Sequence, residues 1–329
     1  MSEFKIEIVP IKLEIHPNAD SLSIVHVGKY QVVVRTEDWK DKTEGIYIPP
    51  DSVVKNIEPF KFLFKPNDGS DKEYRITAKR FRQYISMGLL VPICFGLTNN
   101  DDIAEMLQIK HWNLPLELST SGECISPPKL YIPIYDVESW YNYPDVFEEN
   151  EPIYVTEKLH GCQGRFVFHD NEIFCGSKRE WKKSDQKNVW WQSLKRHPEI
   201  EKFLKENPDT VVYGEIFGDV QDLKYGREKG EVSIRIFDIY NMKGDNTFLN
   251  YYELVQTAID NWLTLVPVLA VKKYDEDSLI AEGNSEVYGC ENQIREGIVI
   301  KPVYEQYDPK VGRVILKKVS NEYYERRNK

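Results

Sequence analysis

A chain of 329 residues is longer than one hydrophobic core usually fills, so its length predicts two domains. A content of 41% hydrophobic and 12% aromatic residues excludes general disorder, and no apolar run is long enough to span a bilayer. The net charge of −10, from 43 basic and 53 acidic side chains, excludes attraction of a polyanion to the whole surface, so any contact with nucleic acid must be local.

The N-terminus and the cysteines indicate a cellular setting. Residues 1–5 lack the layout of a signal peptide. The five cysteines are scattered, odd in number and without C-x-x-C spacing, which favours reduced thiols over disulfides or zinc ligands. We therefore expect a soluble protein of the cytoplasm or another reducing intracellular compartment, with no membrane partner.

Short β-rich runs separated by turn residues occupy the first 91 residues. The runs are 6–15, 22–27, 31–35, 45–48, 74–78 and 88–91. This spacing, without long helical periodicity, predicts a small barrel or sandwich. A short helix at 103–111 and a proline-containing linker at 119–133 follow. We place the boundary near residue 140, which gives domains 1–140 and 141–329.

The second part of the chain repeats one theme, a β-rich run that ends in a charged residue. Helical periodicity appears between these runs at 189–207 and 251–265. The combination predicts an α+β domain with antiparallel sheets.

Lys158 stands at the end of the first of these runs. Gly161 follows three residues later and allows a sharp turn. A lysine in this setting is either a nucleophile or an ordinary strand-end lysine in solvent. As a nucleophile it would have to lose a proton, because the unperturbed pKa of a lysine is about 10.4.

The order of the charged clusters along the chain is more informative than any one cluster. They are K-x-H-G at 158–161, S-K-R at 177–179, Y-G-E-I-F-G at 213–218, F-D at 237–238, E-G-I-V-I-K at 296–301 and L-K-K at 316–318. This series resembles motifs I, Ia, III, IIIa, IV and V of the covalent nucleotidyltransferases, which include polynucleotide ligases and mRNA capping enzymes. His160 stands where DNA ligases and capping enzymes usually carry Asp, which indicates the RNA ligase branch.

The N-terminal part carries a second resemblance. The segments 16–20, 31–34, 47–52 and 86–90 are similar to the OB-type module that precedes the catalytic domain in one group of RNA ligases, and H-P-N-A-D at 16–20 is also similar to tRNA-binding OB modules of some synthetases. Together the resemblances imply an α+β chain, with an N-terminal OB-like β-barrel followed by an antiparallel-sheet nucleotidyltransferase (adenylyltransferase) domain.

The resemblance implies an ATP-dependent RNA ligase. Lys158 would attack the α-phosphorus of ATP and form lysyl-AMP, and the adenylate would pass to a 5′-phosphate end that a 3′-hydroxyl then attacks. ATP as co-substrate and Mg²⁺ or Mn²⁺ as metal are the implied cofactors. The implied partner is RNA with such ends, most naturally a nicked duplex, bound by a monomer.

The resemblance also implies roles for individual residues. Glu215 and Glu296 would hold the metal ion, Phe237 would stack on the adenine, and Lys301 with Lys317 or Lys318 would bind the α-phosphate. Arg179 and Arg165 would contact the ribose or the RNA end. The rest of the implied nucleotide site is Glu157, Leu159, His160 and Gly161, and the implied RNA contacts of the OB module are Lys79, Arg80 and Arg82.

Alternatives remain at this point. Neighbouring residues on a regular strand face opposite sides, so either Lys317 or Lys318 could enter the site. A capping-type guanylyltransferase is a second reading, although its OB domain normally follows the catalytic domain. A third is a non-catalytic RNA-binding or tRNA-binding protein with a vestigial nucleotidyltransferase domain. The basic stretches 72–82, 178–187 and 317–329 could each be an ordinary solvated face.

Overall fold

The computed structural model describes residues 5–82, 84–99, 102–112, 123–184, 188–243, 246–290 and 292–326. The chain divides into two compact units. The first comprises Met1–Leu114, Tyr141–Pro144 and Tyr324–Lys329, and the second comprises Pro115–Trp140 and Asp145–Tyr323. Residues 115–140 group with the second unit, whereas the sequence analysis assigned them to the first. The position of a domain boundary at residue 140 stays a prediction.

The first unit consists mainly of short strands. They are β1 (Glu7–Pro10), β2 (Glu14–Ile15), β3 (Leu22–Val27), β4 (Tyr30–Arg35), β5 (Glu44–Ile48), β6 (Ser52–Lys55), β7 (Glu73–Arg75), β8 (Lys79–Phe81), β9 (Tyr84–Ser86), β10 (Leu89–Val91) and β11 (Lys110–His111), with helices α1 (Thr36–Trp39) and α2 (Ile103–Met106). The strands pair antiparallel in the orders β1-β5-β10, β2-β3-β4 and β11-β6-β7, and β8 and β9 form a hairpin.

Local sequence explains where the first unit follows the predicted elements and where it departs from them. The predicted strand 22–27 is β3 without change. The predicted run 6–15 is two strands, and the first of them ends at Pro10, which has no N–H for a continuing ladder. The helix expected at 103–111 stops at Met106, and Gln108 adopts a positive φ of 53° before β11 begins.

The second unit contains two larger sheets. Its strands are β12 (Cys124–Ile125), β13 (Glu138–Ser139), β14 (Pro152–Lys158), β15 (Cys162–His169), β16 (Glu172–Gly176), β17 (Trp181–Lys182), β18 (Thr210–Gly218), β19 (Val232–Asn241), β20 (Thr247–Phe248), β21 (Val268–Lys273), β22 (Gly297–Pro302), β23 (Tyr307–Asp308), β24 (Gly312–Arg313) and β25 (Leu316–Val319), and its helices are α3 (Val189–Arg196), α4 (Pro198–Glu206), α5 (Tyr251–Asp260) and α6 (Asn321–Arg326). One sheet has the order β12-β17-β16-β15-β18-β19-β20 and the other β13-β25-β22-β14-β21.

Strand alternation divides the seven-stranded sheet into two faces. Val212 and Ile216 of β18 pack against helices α3, α4 and α5 in a core that also contains Leu204 and Leu254. Tyr213, between them in the sequence, belongs to a separate cluster with Tyr135 and Phe248, and Val299 of the other sheet packs against that cluster. The face that carries Tyr213 and Glu215 therefore looks toward the five-stranded sheet.

The helices end where local chemistry requires it. The periodicity at 189–207 gives two helices, because Pro198 cannot donate to the preceding turn and instead begins α4. Helix α5 begins with a capping box between Asn250 and Glu253 and is shorter than the predicted 251–265. Among the described residues, no helix has the length and apolar character needed to cross a membrane.

A buried carboxylate joins the two sheets. Asp238 of β19 is fully buried, and its Oδ2 accepts hydrogen bonds from Tyr135 Oη, Lys301 Nζ and Arg313 Nη2, each at 2.8 Å. Arg313 also donates to Glu305 at 2.5 and 2.6 Å. Burial alone would raise the pKa of Asp238, but Arg313 and Lys301 outweigh it and lower that pKa. The positive charges of Lys301 and Arg313 are thus balanced by the negative charges of Asp238 and Glu305.

We expect Asp238→Asn to lower the free energy of unfolding by about 3–5 kcal/mol at pH 7, because Lys301 and Arg313 would lose a buried countercharge. The folded-state pKa of Asp238 is lowered, so its stabilisation is present above the unfolded pKa of about 3.9 and is lost as the pH falls through the folded value. The difference between wild type and variant should therefore stay constant from pH 7 to about 4 and shrink below that.

Urea unfolding at several pH values measures this difference. Asp145→Asn is the matched control, since Asp145 is exposed and the change should stay within about 0.5 kcal/mol. Equal stability of Asp238→Asn and wild type at pH 7 would contradict the structural role of the cluster.

Candidate active site

A cavity of about 240 Å³ lies between the two sheets of the second unit. The seven-stranded sheet contributes one wall, the five-stranded sheet the other, and residues before β13 close one side. The lining residues are Tyr135, Val137, Thr156, Glu157, Lys158, Leu159, Gln163, Lys178, Glu215, Phe237, Val266, Val299, Lys301 and Lys317. Apolar side chains, four lysines and Glu215 thus surround one space, which suits a ligand with a ring at one end and negative charge at the other.

The catalytic candidate Lys158 is the last residue of β14. It pairs with Gly297 at the start of β22, so Glu296 lies next to it. Lys158 Nζ is 2.8 Å from Glu296 Oε2, and the lysine side chain keeps 24% of its exposure. The turn after it requires Gly161, because a Cβ there would collide with the carbonyl oxygen of Ile216. The strand end and the turn together place an accessible amine at the cavity.

Glu215 and Glu296 have opposite electrostatic settings. Burial raises the pKa of Glu215 to about 8, since the nearby Lys158 offsets only part of the cost of desolvation and Glu296 adds repulsion. For Glu296 burial acts in the same direction, but Lys158 and His160 outweigh it and lower the pKa to about 2. Glu296 is therefore kept in its charged form by Lys158, whereas Glu215 is not.

The ring of His160 does not line the cavity. It is buried, with Nε2 2.7 Å from Asp222 Oδ1 and Nδ1 3.0 Å from the hydroxyl of Tyr323. Nδ1 also lies 3.5 Å from Glu296 Oε2. The backbone N–H of His160 donates to Tyr225 Oη at 2.8 Å. His160 thus contacts Glu296 from behind rather than facing a nucleotide directly.

The two lysines at 317 and 318 diverge. Lys317 lines the cavity, and burial together with repulsion from Lys158 lowers its pKa. Lys318 Nζ donates to the carbonyl oxygen of Leu279 at 2.8 Å and lies 4.6 Å from the ring of Trp140. The alternation of β25 thus places Lys317, and not Lys318, at the cavity, and the binding of phosphate by Lys317 stays a prediction.

The far end of the cavity holds an aromatic and a lysine. The ring of Phe237 lies 4.7 Å from that of Tyr135 and is only partly buried. Lys301 Nζ donates to the carbonyl oxygen of Phe237 at 2.9 Å as well as to Asp238. Phe237 therefore lines the cavity, and its stacking on adenine stays a prediction.

Other implied nucleotide residues lie elsewhere. Arg165 is buried, with its guanidinium 4.3 Å from the ring of Trp181, and it is not part of the cavity lining. Arg179 is exposed and is not part of the cavity lining. Glu157 forms part of the wall, but its carboxylate accepts from the backbone N–H of Glu286 at 2.7 Å. The roles of these residues stay predictions.

Sequence reasoning missed several residues of the wall. Thr156 and Val299 lie two positions before Lys158 and Lys301, so strand alternation could have found them. Tyr135 and Val137 come from a segment beside the predicted linker, and no local signal marks them. Lys178 was recognised as part of the S-K-R cluster and of a basic stretch, but it was not named as a nucleotide-site residue. It lines the cavity and forms an ion pair with Asp136.

The implied RNA contacts of the first unit lie on the β8-β9 hairpin. Lys79, Arg80 and Arg82 are all exposed. Arg80 Nε donates to Glu325 at 2.6 Å, and Lys79 lies 5.1 Å from the ring of Tyr74. Part of the basic charge is thus already paired within this unit. The basic stretches 178–187 and 317–329 extend at residues 185–187 and 327–329 beyond the described residues.

The carboxylates fit a hard divalent cation bound mainly through its water shell. In the described ranges, no group of three or more His, Cys, Asp and Glu residues could form a metal cage. Glu215 has no ion-pair partner there, and Glu296 Oε2 is buried with only the Lys158 and His160 contacts. Mg²⁺ or Mn²⁺ commonly uses one or two carboxylates and completes its shell with water and phosphate.

The fold is that of known RNA ligases. One variant of the Naegleria gruberi RNA ligase with ATP and Mn is 22% identical, with a TM-score of 0.81 over 98% of this chain and 99% of that chain. The same ligase with pyrophosphate is 22% identical, with a TM-score of 0.80 over 98% of both chains. At this identity the likeness shows the fold. No protein of curated function matches the sequence significantly.

Two family models match the sequence directly. Residues 6–93 match an OB-fold domain, and residues 151–319, more than half of the chain, match the RNA ligase family. These matches confirm the predicted fold class, an OB domain followed by an α+β nucleotidyltransferase-like domain with mainly antiparallel sheets. They also confirm the predicted family: the chain belongs to the RNA ligases.

Proposed function

We propose that this protein is an ATP-dependent RNA ligase that seals nicks in duplex RNA through a lysyl-AMP intermediate. It would act as a monomer in the cytoplasm or another reducing compartment, a setting supported by its five free cysteines. The Naegleria gruberi structures that share its fold contain ATP, AMP or pyrophosphate, and several contain Mn. ATP and Mg²⁺ or Mn²⁺ are accordingly the cofactors that we propose.

The observation that carries this proposal is the position of Lys158. Its amine lies at a cavity that also holds the partly exposed ring of Phe237 and the cations Lys178 and Lys317. A nucleotide whose base stacks on Phe237 would extend toward Lys158 with its phosphates. No other lysine of the lining is the terminal residue of a strand beside a buried carboxylate, as Lys158 is beside Glu296.

The first step would be attack of Lys158 Nζ on the α-phosphorus of ATP, which forms a P–N bond as pyrophosphate leaves. The Lys158–Glu296 ion pair favours the charged amine, so this contact must open before attack. Lys317, whose charged form is disfavoured by burial and by Lys158, would neutralise the developing charge on the phosphoryl oxygens. A divalent cation held by Glu215 and Glu296 would supply further charge neutralisation.

The next steps move the adenylate. A 5′-phosphate oxygen of the RNA would attack the phosphorus of lysyl-AMP, which releases Lys158 and forms a pyrophosphate linkage between AMP and RNA. The 3′-hydroxyl would then attack the 5′-phosphate, form the phosphodiester bond and release AMP. Each step is an in-line phosphoryl transfer, in which positioned groups matter more than covalent help.

The OB domain supports the duplex part of the proposal. OB folds bind nucleic acid across a sheet face and the adjoining loops, and here an exposed hairpin carries Lys79, Arg80 and Arg82. A nick has two flanks, and a second binding domain adds surface for one of them. The alternative of a capping enzyme loses support because the RNA ligase model matches residues 151–319.

Covalent labelling tests the lysyl-AMP step. Protein incubated with ATP labelled at the α-phosphate and Mg²⁺ should become labelled, and Lys158→Ala should abolish the label because the only proposed nucleophile is removed. Thermal melting of the variant serves as the folding control. Label that survives in Lys158→Ala would assign the nucleophile to another residue, and label from GTP but not ATP would favour guanylyltransfer.

The adjacent lysines provide a matched pair for the phosphate contact. We expect Lys317→Ala to slow labelling by about 100-fold, the usual effect of removing one charge-stabilising group, because Lys317 faces the cavity. Lys318→Ala should leave labelling within about threefold of wild type, because its ammonium binds the Leu279 carbonyl instead. The rates are measured by single-turnover labelling. Slower labelling of Lys318→Ala than of Lys317→Ala would refute the assignment of the phosphate contact to Lys317.

Sealing of nicked duplexes tests the hairpin. The double variant Lys79→Ala, Arg82→Ala should seal nicked duplex RNA with a raised KM, while labelling by ATP stays unchanged. Removal of two phosphate contacts should also reduce the slope of log affinity against log salt by about two. Lys40→Ala removes another exposed lysine of the same unit and should change neither quantity. Equal sealing by wild type and double variant would exclude the hairpin.

A further inference from the structure

An exposed thiol and a buried ammonium face each other at one edge of the seven-stranded sheet. Cys124 of β12 is the direct antiparallel partner of Lys182 of β17. Directly opposed residues place their side chains on the same face, with Cβ atoms about 4.5–5.5 Å apart. Lys182 Nζ lies 3.6 Å from Cys124 Sγ. The thiol is exposed, whereas the lysine side chain is 4% exposed. A small solute can therefore reach the sulfur, and the amine lies next to it inside the protein.

Contacts from three residues hold Lys182 beside the sulfur. Its Nζ donates to Glu180 Oε2 at 2.7 Å and lies 5.1 Å from the centre of the Trp190 ring. Its carbonyl oxygen accepts from Trp191 Nε1 at 3.0 Å. The hydrogen bond and the charge of Lys182, together with a hydrogen bond from the Cys124 thiol, lower the pKa of Glu180. Amine, thiol and carboxylate thus form one cluster.

The other thiol in this row of the sheet is too distant for a disulfide. Lys182 also pairs with Cys175 of β16, so the two cysteines lie on either side of the lysine. Two strand spacings separate their Cα atoms by about 10 Å, whereas a disulfide needs about 4.4–6.8 Å. Cys175 is also fully buried. In this row, an oxidised Cys124 therefore meets the amine of Lys182 rather than a second thiol.

We propose that Cys124 is a site of oxidation by peroxides, and that its oxidised sulfur forms a reversible covalent S–N link with Lys182. Neither residue lines the nucleotide cavity. The inference therefore does not depend on the proposed ligase activity.

The first step is attack of the Cys124 sulfur on hydrogen peroxide. The O–O bond breaks and an S–O bond forms, so the products are a sulfenic acid and water. The sulfur loses the two electrons that the peroxide gains. An exposed thiol beside a cation is the usual setting for this reaction.

The second step joins the lysine to the sulfur. Lys182 first gives a proton to the adjoining Glu180 carboxylate, and its lone pair then attacks Cys124 Sγ. An S–N bond forms, the S–O bond breaks, and the leaving hydroxide takes a second proton from nitrogen and becomes water. No further oxidant is needed. An amine held 3.6 Å from the sulfur has a large advantage over any amine in solution.

The link makes the oxidation reversible. Two molecules of a thiol reductant restore the thiol and the amine and are themselves joined as a disulfide. A sulfenic acid without a partner is instead oxidised to sulfinic and sulfonic acids, which thiol reductants do not reverse. Lys182 should therefore protect Cys124 from irreversible oxidation.

The test treats the reduced full chain with a small excess of hydrogen peroxide. Intact mass spectrometry should show a species lighter by two hydrogen atoms, about 2 Da, and dithiothreitol should restore the original mass. A disulfide gives the same mass change, so peptide mapping must show Cys124 joined to Lys182. A wild-type protein in which Cys124 stays unmodified, forms a disulfide, or yields only sulfinic or sulfonic acid would overturn the proposal.

Substitution of the lysine supplies the second arm. Lys182→Met keeps the length of the side chain without its amine, so the yield of the linked species should fall at least about tenfold. Cys124 should then be recovered as sulfinic acid, or as a dimedone adduct when this sulfenic-acid trap is present. An undiminished link to Cys124 in this variant would assign the amine to another residue and overturn the proposal.

The neighbouring lysine is the matched control. Lys183 is exposed and its Nζ donates to Glu123 at 2.7 Å, so Lys183→Met should form the link as the wild type does. If Lys182→Met fails to fold, Lys182→Arg keeps the positive charge but replaces the amine by a guanidinium that stays protonated, and it should also lack the link. The mapping of the wild-type protein tests the proposal even if neither variant folds.

Discussion

The structure of the second unit depends on one buried carboxylate. Asp238 receives three side-chain hydrogen bonds on a single oxygen, from Tyr135, Lys301 and Arg313, which belong to three different segments of the chain. Removing one partner from such a cluster is costly, since a buried charge would then lack compensation. The cluster therefore sets the spacing of the two sheets at the closed end of the cavity, and with it the position of Phe237, the preceding residue.

The open end of the cavity is organised differently. Lys158 retains 24% of its exposure and Lys301 only 3%, although both belong to the same pair of strands. At the open end Glu296 is ion-paired with Lys158, whereas burial raises the pKa of Glu215 to about 8 and so favours its neutral form near pH 7. A rigid, neutralised end suits recognition of a base, and an open end suits binding of phosphates and a metal ion. Under the proposed function, one end would recognise the base and the other would carry out the phosphoryl transfer.

Many residues of the cavity wall could be predicted from the sequence, because their positions depend on local strand patterns. The order of the charged clusters pointed to Lys158, Glu215, Phe237 and the Lys317–Lys318 pair, and all but Lys318 line the cavity. Most of what failed was non-local. Tyr135 enters the wall from a segment just after the predicted linker, and the partner of Lys318 is a carbonyl 39 residues away. One failure was local: the helical periodicity continued across Pro198, whose missing N–H divides the predicted helix into two.

Because the chain is acidic overall, the positions of its basic side chains indicate where a polyanion could bind. With a net charge of −10, a polyanion finds attraction only where basic groups are concentrated. One such place is the cavity, where Lys158, Lys178 and Lys317 sit among protein atoms and salt screens them little. The other is the exposed hairpin of the OB domain, where screening is strong. Binding of nucleotide and binding of RNA should therefore respond to salt to different degrees, because the same charges act in different dielectric surroundings.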